Sequence, residues 1–346
     1  MQISQRIIAF SNLGNNLESF INNFDKDSQD INQQEFNQVL QQAKAKNGWF
    51  TIENQLYALA SWAQGLTREN IENWLAAYNI PHDITPQSIG IVTAGNIPMV
   101  GFHDILCVLM SGHKALIKPS SNDEVLIRYV LKQLTNIEPN FKEQIAFVEQ
   151  LKGYDAVIAT GSDNTARYFE TYFDKVPHII RKNRTSIAVI EGNETEDELK
   201  NLAEDILRHF GLGCRNVTKL MIPKGYDMDK IFKALYPWAD IINHHKYANN
   251  YDYHKAIYLM KGLDFVENGF VIVKKDDSLF SPISTIYYQE YENDREVKSF
   301  IQTHDSQIQC VVGKKDNMIP FGKAQQPDLW DYADNIDTMK WLLNLK

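Results

Sequence analysis

Ser88-Ile89-Gly90-Ile91-Val92-Thr93-Ala94-Gly95-Asn96-Ile97-Pro98 is a short apolar run that breaks at once into small and polar residues. Residues 88–93 predict a buried strand, and Gly95, Asn96 and Pro98 predict a turn. The pattern then repeats outward. A helix-like run reaches Met110, a second strand covers 115–118, and Pro119 turns the chain into a helix around 124–134. Third and fourth strands cover 145–148 and 156–159. Thr160-Gly161-Ser162-Asp163-Asn164 opens another helix, and a fifth strand covers 187–190. Apolar strands alternating with helices predict parallel βαβ units and a Rossmann-type domain.

Before this stretch, residues 1–80 read as helices. Ile3, Ile7, Ile8 and Phe10 start one amphipathic face, Leu56, Leu59, Ala60 and Trp62 make another, and Ile71, Trp74 and Tyr78 a third. A Pro-punctuated linker at 80–86 closes them off. After Cys214 the chain is α/β again, with strands at 217–222, 270–273, 283–287 and 308–312, a helix at 229–235 and a terminal helix over 331–345. The expected division is a helical N-terminal region (1–85), a cofactor domain (86–208) and a catalytic domain with a C-terminal segment (209–346).

Composition narrows the classes of function. Hydrophobic residues are 44%, charged residues 23% and net charge is −9, with no basic block, which argues against a nucleic-acid surface. The longest apolar run, at 99–110, is too short to span a bilayer. The first residues lead into no signal-peptide core, and three cysteines make no disulfide framework, so a reducing cytoplasm is expected.

One cysteine stands apart. Phe210-Gly211-Leu212-Gly213-Cys214-Arg215-Asn216-Val217-Thr218-Lys219 follows an amphipathic helix pattern (Leu199, Leu202, Ala203, Ile206, Leu207, Phe210), and its glycines are expected to end that helix. Cys214 is then either a buried structural cysteine or a nucleophile with room for substrate, its thiolate favoured by Arg215 if that side chain points towards it. Cys107 and Cys310 lie in apolar segments and read as core. The segment 243–258, with three histidines and several tyrosines, lacks tetrahedral ligand spacing, so no metal site is expected. It reads as a packed aromatic loop, or as lining of an acyl or pantetheine tunnel.

Taken in order, Gly95-Asn96-Ile97-Pro98, Ile117-Lys118-Pro119-Ser120, Thr160-Gly161-Ser162 and a cysteine after a helix resemble the aldehyde dehydrogenase superfamily. The Gly-Cys-Arg-Asn-Val-Thr-Lys run, and Phe321-Gly322-Lys323-Ala324-Gln325-Gln326-Pro327 with Tyr332-Ala333-Asp334, look like the branch of acyl-CoA reductases similar to the LuxC subunit of bacterial bioluminescence. The resemblance implies an aldehyde-dehydrogenase-like α/β fold. It also implies reduction of an acyl-CoA, fatty acyl-CoAs included, or another acyl thioester with NADPH or NADH, through an acyl group on Cys214.

By the same resemblance, the Asn96 carboxamide and the Cys214 N–H hold the oxyanion. Lys118, Ser120, Gly161 and Ser162 line the cofactor site. Read on their own, Asn96 is also a turn former, Lys118 a solvated lysine, and Ser162 or Asp163 a plain helix cap. Two departures stand out. Ile180 occupies the position of the glutamate that activates water in oxidising members, and Ser278 that of the glutamate that holds the nicotinamide ribose. Ser121 stands where a glutamate favours NAD. An oxidising aldehyde dehydrogenase, or a non-catalytic scaffold or carrier subunit, remain alternatives. So do a homo-oligomer and a partner enzyme.

Overall fold

The computed structural model describes residues 1–25, 28–81 and 84–345, so His82 and Asp83 of the expected linker lie outside the described residues. The chain forms two compact units, Met1–Lys182 with Asp328–Lys346, and Asn183–Pro327.

The first unit opens with four helices, α1 (Ile3–Asn22), α2 (Ile31–Lys46), α3 (Ile52–Gly65) and α4 (Arg68–Leu75). In α1, Phe10, Leu13 and Leu17 recur at three and four residues and are fully buried. There follow β1 (Ser88–Val92), α5 (Phe102–Ser111), β2 (Lys114–Lys118), α6 (Glu124–Ile137), β3 (Ile145–Phe147), β4 (Ala156–Thr160), α7 (Asp163–Tyr172) and β5 (His178–Arg181). The sheet is parallel throughout, in the order β3-β2-β1-β4-β5. Connections leave in opposite directions from β1 and β4, so the switch point, where open α/β sheets bind ligands, lies between these two strands.

The second unit holds β6 (Thr185–Val189), α8 (Glu196–Leu207), β7 (Val217–Pro223), α9 (Asp229–Leu235), α10 (His245–Met260), β8 (Val266–Glu267), β9 (Ile272–Lys275), β10 (Thr285–Tyr291), α11 (Asp294–Thr303) and β11 (Ile308–Val312). Its sheet runs β11-β6-β7-β10-β9-β8, parallel except for the β8–β9 pair. The chain then returns to the first unit, where α12 (Thr338–Leu343) buries Met339 and Leu342.

The units do not divide where the sequence suggested. The strand expected at 187–190 pairs with β7 and β11, so it belongs to the second sheet, and the boundary lies at 182/183 rather than 208/209. The fifth strand of the first sheet is β5, hidden because only Ile179 and Ile180 are apolar in it. The helices of residues 1–85 are not a separate region either. Phe10, Leu13 and Leu59 join one core with Ile89 and Ile91 of β1. The terminal helix is confined to α12. The segment expected as an aromatic loop is mostly α10, with Tyr247, Tyr251 and Tyr258 on its buried face.

Candidate active site

In the second unit, α8 ends at Leu207 and the chain turns sharply. His209 and Phe210 take left-handed φ of 54° and 59°, and Gly211 follows at 75°. Two consecutive non-glycine residues there cost about 1–3 kcal/mol each and persist only where the surroundings over-determine them. The surroundings do so. His209 is buried, which together with neighbouring Arg208 pushes its imidazole down to about 3. The Phe210 ring lies 4.3 Å from that of His244 and 6.1 Å from that of Tyr247.

Beyond this turn the Gly-Cys-Arg-Asn run is fixed on both sides. Buried Asn216 accepts from Gly213 N at 2.7 Å. Its Nδ2 donates to the carbonyls of Arg208, Ile206 and Asp205 at 2.8, 3.3 and 3.4 Å, satisfying the end of α8. Ser186 Oγ, on β6, donates to the Cys214 carbonyl at 3.1 Å and lies 3.0 Å from Cys310 Sγ. The Arg215 Nε donates to Ala324 O at 2.5 Å. Buried Asp205 accepts from Gly322 N and Ala324 N at 2.6 and 2.9 Å, and burial raises its carboxyl to about 7. The Phe-Gly-Lys-Ala segment is therefore docked on the same network. Cys214 is left half-buried at the crest of the turn.

Lys219, at the end of the run, is fully buried. Its Nζ donates to the carbonyls of Asp276, Asp277 and Ser278 at 2.9, 3.0 and 3.2 Å and sits 4.7 Å from the Phe300 ring. Burial lowers it to about 8. It anchors residues 276–278, of which Ser278 is exposed. A cleft of about 310 Å³, open mouth included, lies between Phe210, Thr218, Tyr247 and Ser284.

In the first unit, the other expected residues gather at the carboxyl edge of the sheet. Exposed Asn96 stands on the loop from β1 to α5. Asn47, between α2 and α3, donates to Gly95 O at 3.2 Å. Gly95 has no room for a side chain, because a Cβ there would lie 2.5 Å from Ser120 Oγ. Ser120 N donates to Thr93 Oγ1 at 3.1 Å, and Met99 N to Asp123 Oδ2 at 2.8 Å. Lys118 is exposed at the end of β2. Gly161 N donates to Arg181 O at 3.2 Å, and Ser162 caps α7, accepting from Thr165 N at 3.4 Å.

The first sheet thus brings Asn96, Lys118, Ser120, Gly161 and Ser162 to one edge, while Cys214 belongs to the second unit. Ile180, on β5, packs into an apolar cluster with Val157, Ala159 and Phe173. Cys107 is fully buried, which pushes its thiol well up. No group of three His, Cys, Asp or Glu side chains placed to hold a metal occurs among the described residues. Sequence reasoning assigned no holding role to Asn47, Asp123, Asp205, Asn216 or Lys219, although Asn216 and Lys219 lie in the run that resembles the family. One signal was present: Asp205 interrupts the apolar face made by Leu202, Ala203 and Ile206.

A family model described as acyl-CoA reductase (LuxC) matches residues 20–226. A search among curated proteins found no match. Similar solved structures include aldehyde dehydrogenase 21 from Physcomitrella patens in complex with the reaction product succinate. It is 12% identical, with 94% of this chain and 76% of that one covered and a TM-score of 0.65. An aldehyde dehydrogenase from Mycobacterium tuberculosis complexed with NAD+ is 11% identical over 94% and 76%, with a TM-score of 0.62. The NAD+ complex of an aldehyde dehydrogenase from Bacillus cereus is 11% identical over 92% and 72%, with a TM-score of 0.61. At such identities the likeness concerns the fold.

Proposed function

The chain belongs to the acyl-CoA reductase (LuxC) family, and from that premise we propose that it reduces an acyl-CoA, or a related acyl thioester, to the aldehyde through an acyl group held on Cys214. It is an oxidoreductase acting on acyl or aldehyde groups, with the fold of the aldehyde dehydrogenases. The observation that carries the finer reading is the turn around Cys214. Asn216, Ser186 and Arg215 fix its backbone, and the thiol-bearing residue is left half-exposed.

In the proposed reaction the Cys214 thiolate attacks the thioester carbonyl carbon. The carbonyl electrons move onto oxygen, and their return expels the CoA thiolate, leaving the acyl group on Sγ. The developing oxyanion needs preorganised donors. The Cys214 N–H and the Asn96 carboxamide are the proposed ones, and the clamped loop under Asn96 supports this. Ile180, apolar and packed among apolar neighbours, brings no carboxylate to activate water at its position, which supports a lasting adduct.

The carboxyl edge of the first sheet fits a nicotinamide cofactor. It has a switch point, an exposed lysine at a strand end, and a ten-residue helix whose N-terminus follows Gly161 and Ser162. Lys118 and Ser120 would face the adenosine ribose and its substituents, and the start of α7 the pyrophosphate. When bound, the reduced nicotinamide supplies the hydride that frees the acyl group as aldehyde. Three cysteines, too few for a disulfide framework, fit a reducing, cytoplasmic setting.

The test is intact-mass spectrometry after incubation with acyl-CoAs of graded chain length, without reduced cofactor. One acyl group should appear, with free CoA released, and peptide mapping should place it on Cys214. Cys214→Ser should abolish it, whereas Cys107→Ser and Cys310→Ser should not. An acyl group mapping elsewhere, or none with any acyl-CoA, overturns the reading.

A further inference from the structure

Asp123 immediately precedes α6, where an aspartate ordinarily bonds the first N–H groups of its own helix. Its side chain makes no such bond. Instead Oδ2 reaches across 24 residues to accept from Met99 N at 2.8 Å. The residue is only 2% exposed, and its Oδ1 has no hydrogen-bond partner among the described residues. A buried carboxyl with one oxygen unsatisfied is an unfavourable arrangement, and burial pushes this one well above the usual carboxylate range. At the other end of the bond Met99 is itself unfavourable, a non-glycine residue with a left-handed φ of 62°.

Two unfavourable features meeting at one hydrogen bond indicate that the bond fixes a backbone position. That position matters for what stands beside it. The loop from β1 to α5 is held early by Thr93 Oγ1, which accepts from Ser120 N, and by Asn47 Nδ2 on Gly95 O. Its far end is held by Asp123 on Met99. Asn96, Ile97 and Pro98 lie between these clamps, and the Asn96 side chain is exposed.

We propose that Asp123 is a positioning residue for the reaction: by holding Met99 it sets the height and direction of the Asn96 carboxamide. The inference rests on the function proposed above and adds a residue to it. A helix cap serving stability alone has no reason to depend on Asn96, whereas a positioning residue acts only through it.

A double-mutant cycle on the full chain separates the two. The rate of Cys214 acylation is followed by CoA release in a single turnover, with melting temperatures measured alongside. Asp123→Ala is expected to slow acylation about tenfold or more, the scale of a small misplacement of a catalytic group. Asp123→Asn, which keeps an oxygen for Met99 N, should recover most of that rate. In an Asn96→Ala background, Asp123→Ala should cause little further loss, because the group it positions is gone. Should Asp123→Ala fail to fold, Asp123→Leu takes its place, since it removes the acceptor for Met99 N while filling the same buried space. It too should slow acylation only when Asn96 is present. Losses that multiply in the two backgrounds, or an unchanged rate in Asp123→Ala or its replacement, overturn the positioning role while leaving the acyl-enzyme reading intact. A wild-type chain that takes up no acyl group overturns both.

Discussion

Asp123 also bears on cofactor choice, through the residues that follow β2. Ser121 stands where the family resemblance puts a glutamate that favours NAD by bonding the ribose hydroxyls. It is exposed, as is Lys118 three residues before it. The next carboxylates along the chain are engaged elsewhere. Asp123 is buried on Met99, and Glu124 pairs with Lys46. Neither carboxylate is therefore placed to stand in for that glutamate, and in the function proposed above Lys118 would offer a 2′-phosphate a cation. NADPH should be used at least as well as NADH in steady-state kinetics, and Ser121→Glu should move kcat/KM towards NADH. A strong NADH preference in the wild type would show that other groups govern the choice.

At the scale of elements, α8 joins the Cys214 turn to the 321–326 segment through one residue. Asp205 is fully buried and accepts from Gly322 and Ala324, and its carboxyl is raised from 3.8 to about 7, burial being the largest cause. The folded state therefore holds a proton that the unfolded chain has lost between pH about 4 and about 7. Stability from this group is full below that window and falls as pH rises through it, by on the order of 4 kcal/mol. Urea midpoints should accordingly drop between pH about 4 and about 7, and Asp205→Asn should flatten that part of the profile. An Asp205→Asn profile as steep as that of the wild type would assign the dependence to other groups. The network was only partly legible in the sequence. Asp205 could be noticed as a polar break in an apolar helix face, but its partners lie more than a hundred residues away in the chain. Asn216 has nearer partners, carbonyls 8 to 11 residues back at the end of α8, yet its side chain reads as one more turn residue until the chain folds onto them.

For the whole molecule, the unexpected feature is the return of the chain after residue 327 to the unit where it began. Leu329, Tyr332, Met339 and Leu342 are buried in the first unit's core. Tyr332 Oη accepts from Trp74 Nε1 at 2.7 Å. Buried Arg181 pairs with Asp104 at 2.6 Å and also donates to Ala333 O and Thr338 Oγ1, at 2.7 and 2.9 Å. Removing residues 328–346 would expose that apolar surface and strip two acceptors from a buried guanidinium, losses of several kcal/mol. The truncated chain should melt many degrees lower or fail to remain soluble. A truncation whose melting curve matches the full chain would mean that the tail only covers the first unit.

The sequence by itself determined the alternation of apolar strands and helices, hence the parallel α/β class. It also placed the turns at Gly95, Pro119 and Gly161 that gather Asn96, Lys118, Ser120 and Ser162 at one sheet edge. These are local matters: strand burial, glycine clearance and helix starts are written in a few neighbouring residues. Tertiary structure alone decided the rest. Strands buried in parallel sheets look alike, so nothing within residues 187–190 says that β6 pairs with β7 and β11 rather than extending the first sheet. The tyrosines of α10 declare a helix only when Tyr247, Tyr251 and Tyr258 have a core to face. The polar side chains of Asn47, Asp123 and Lys219 acquire their roles from partners 24 to 59 residues away along the chain. A buried donor or acceptor must be met by another group, and only the folded chain brings that group within reach.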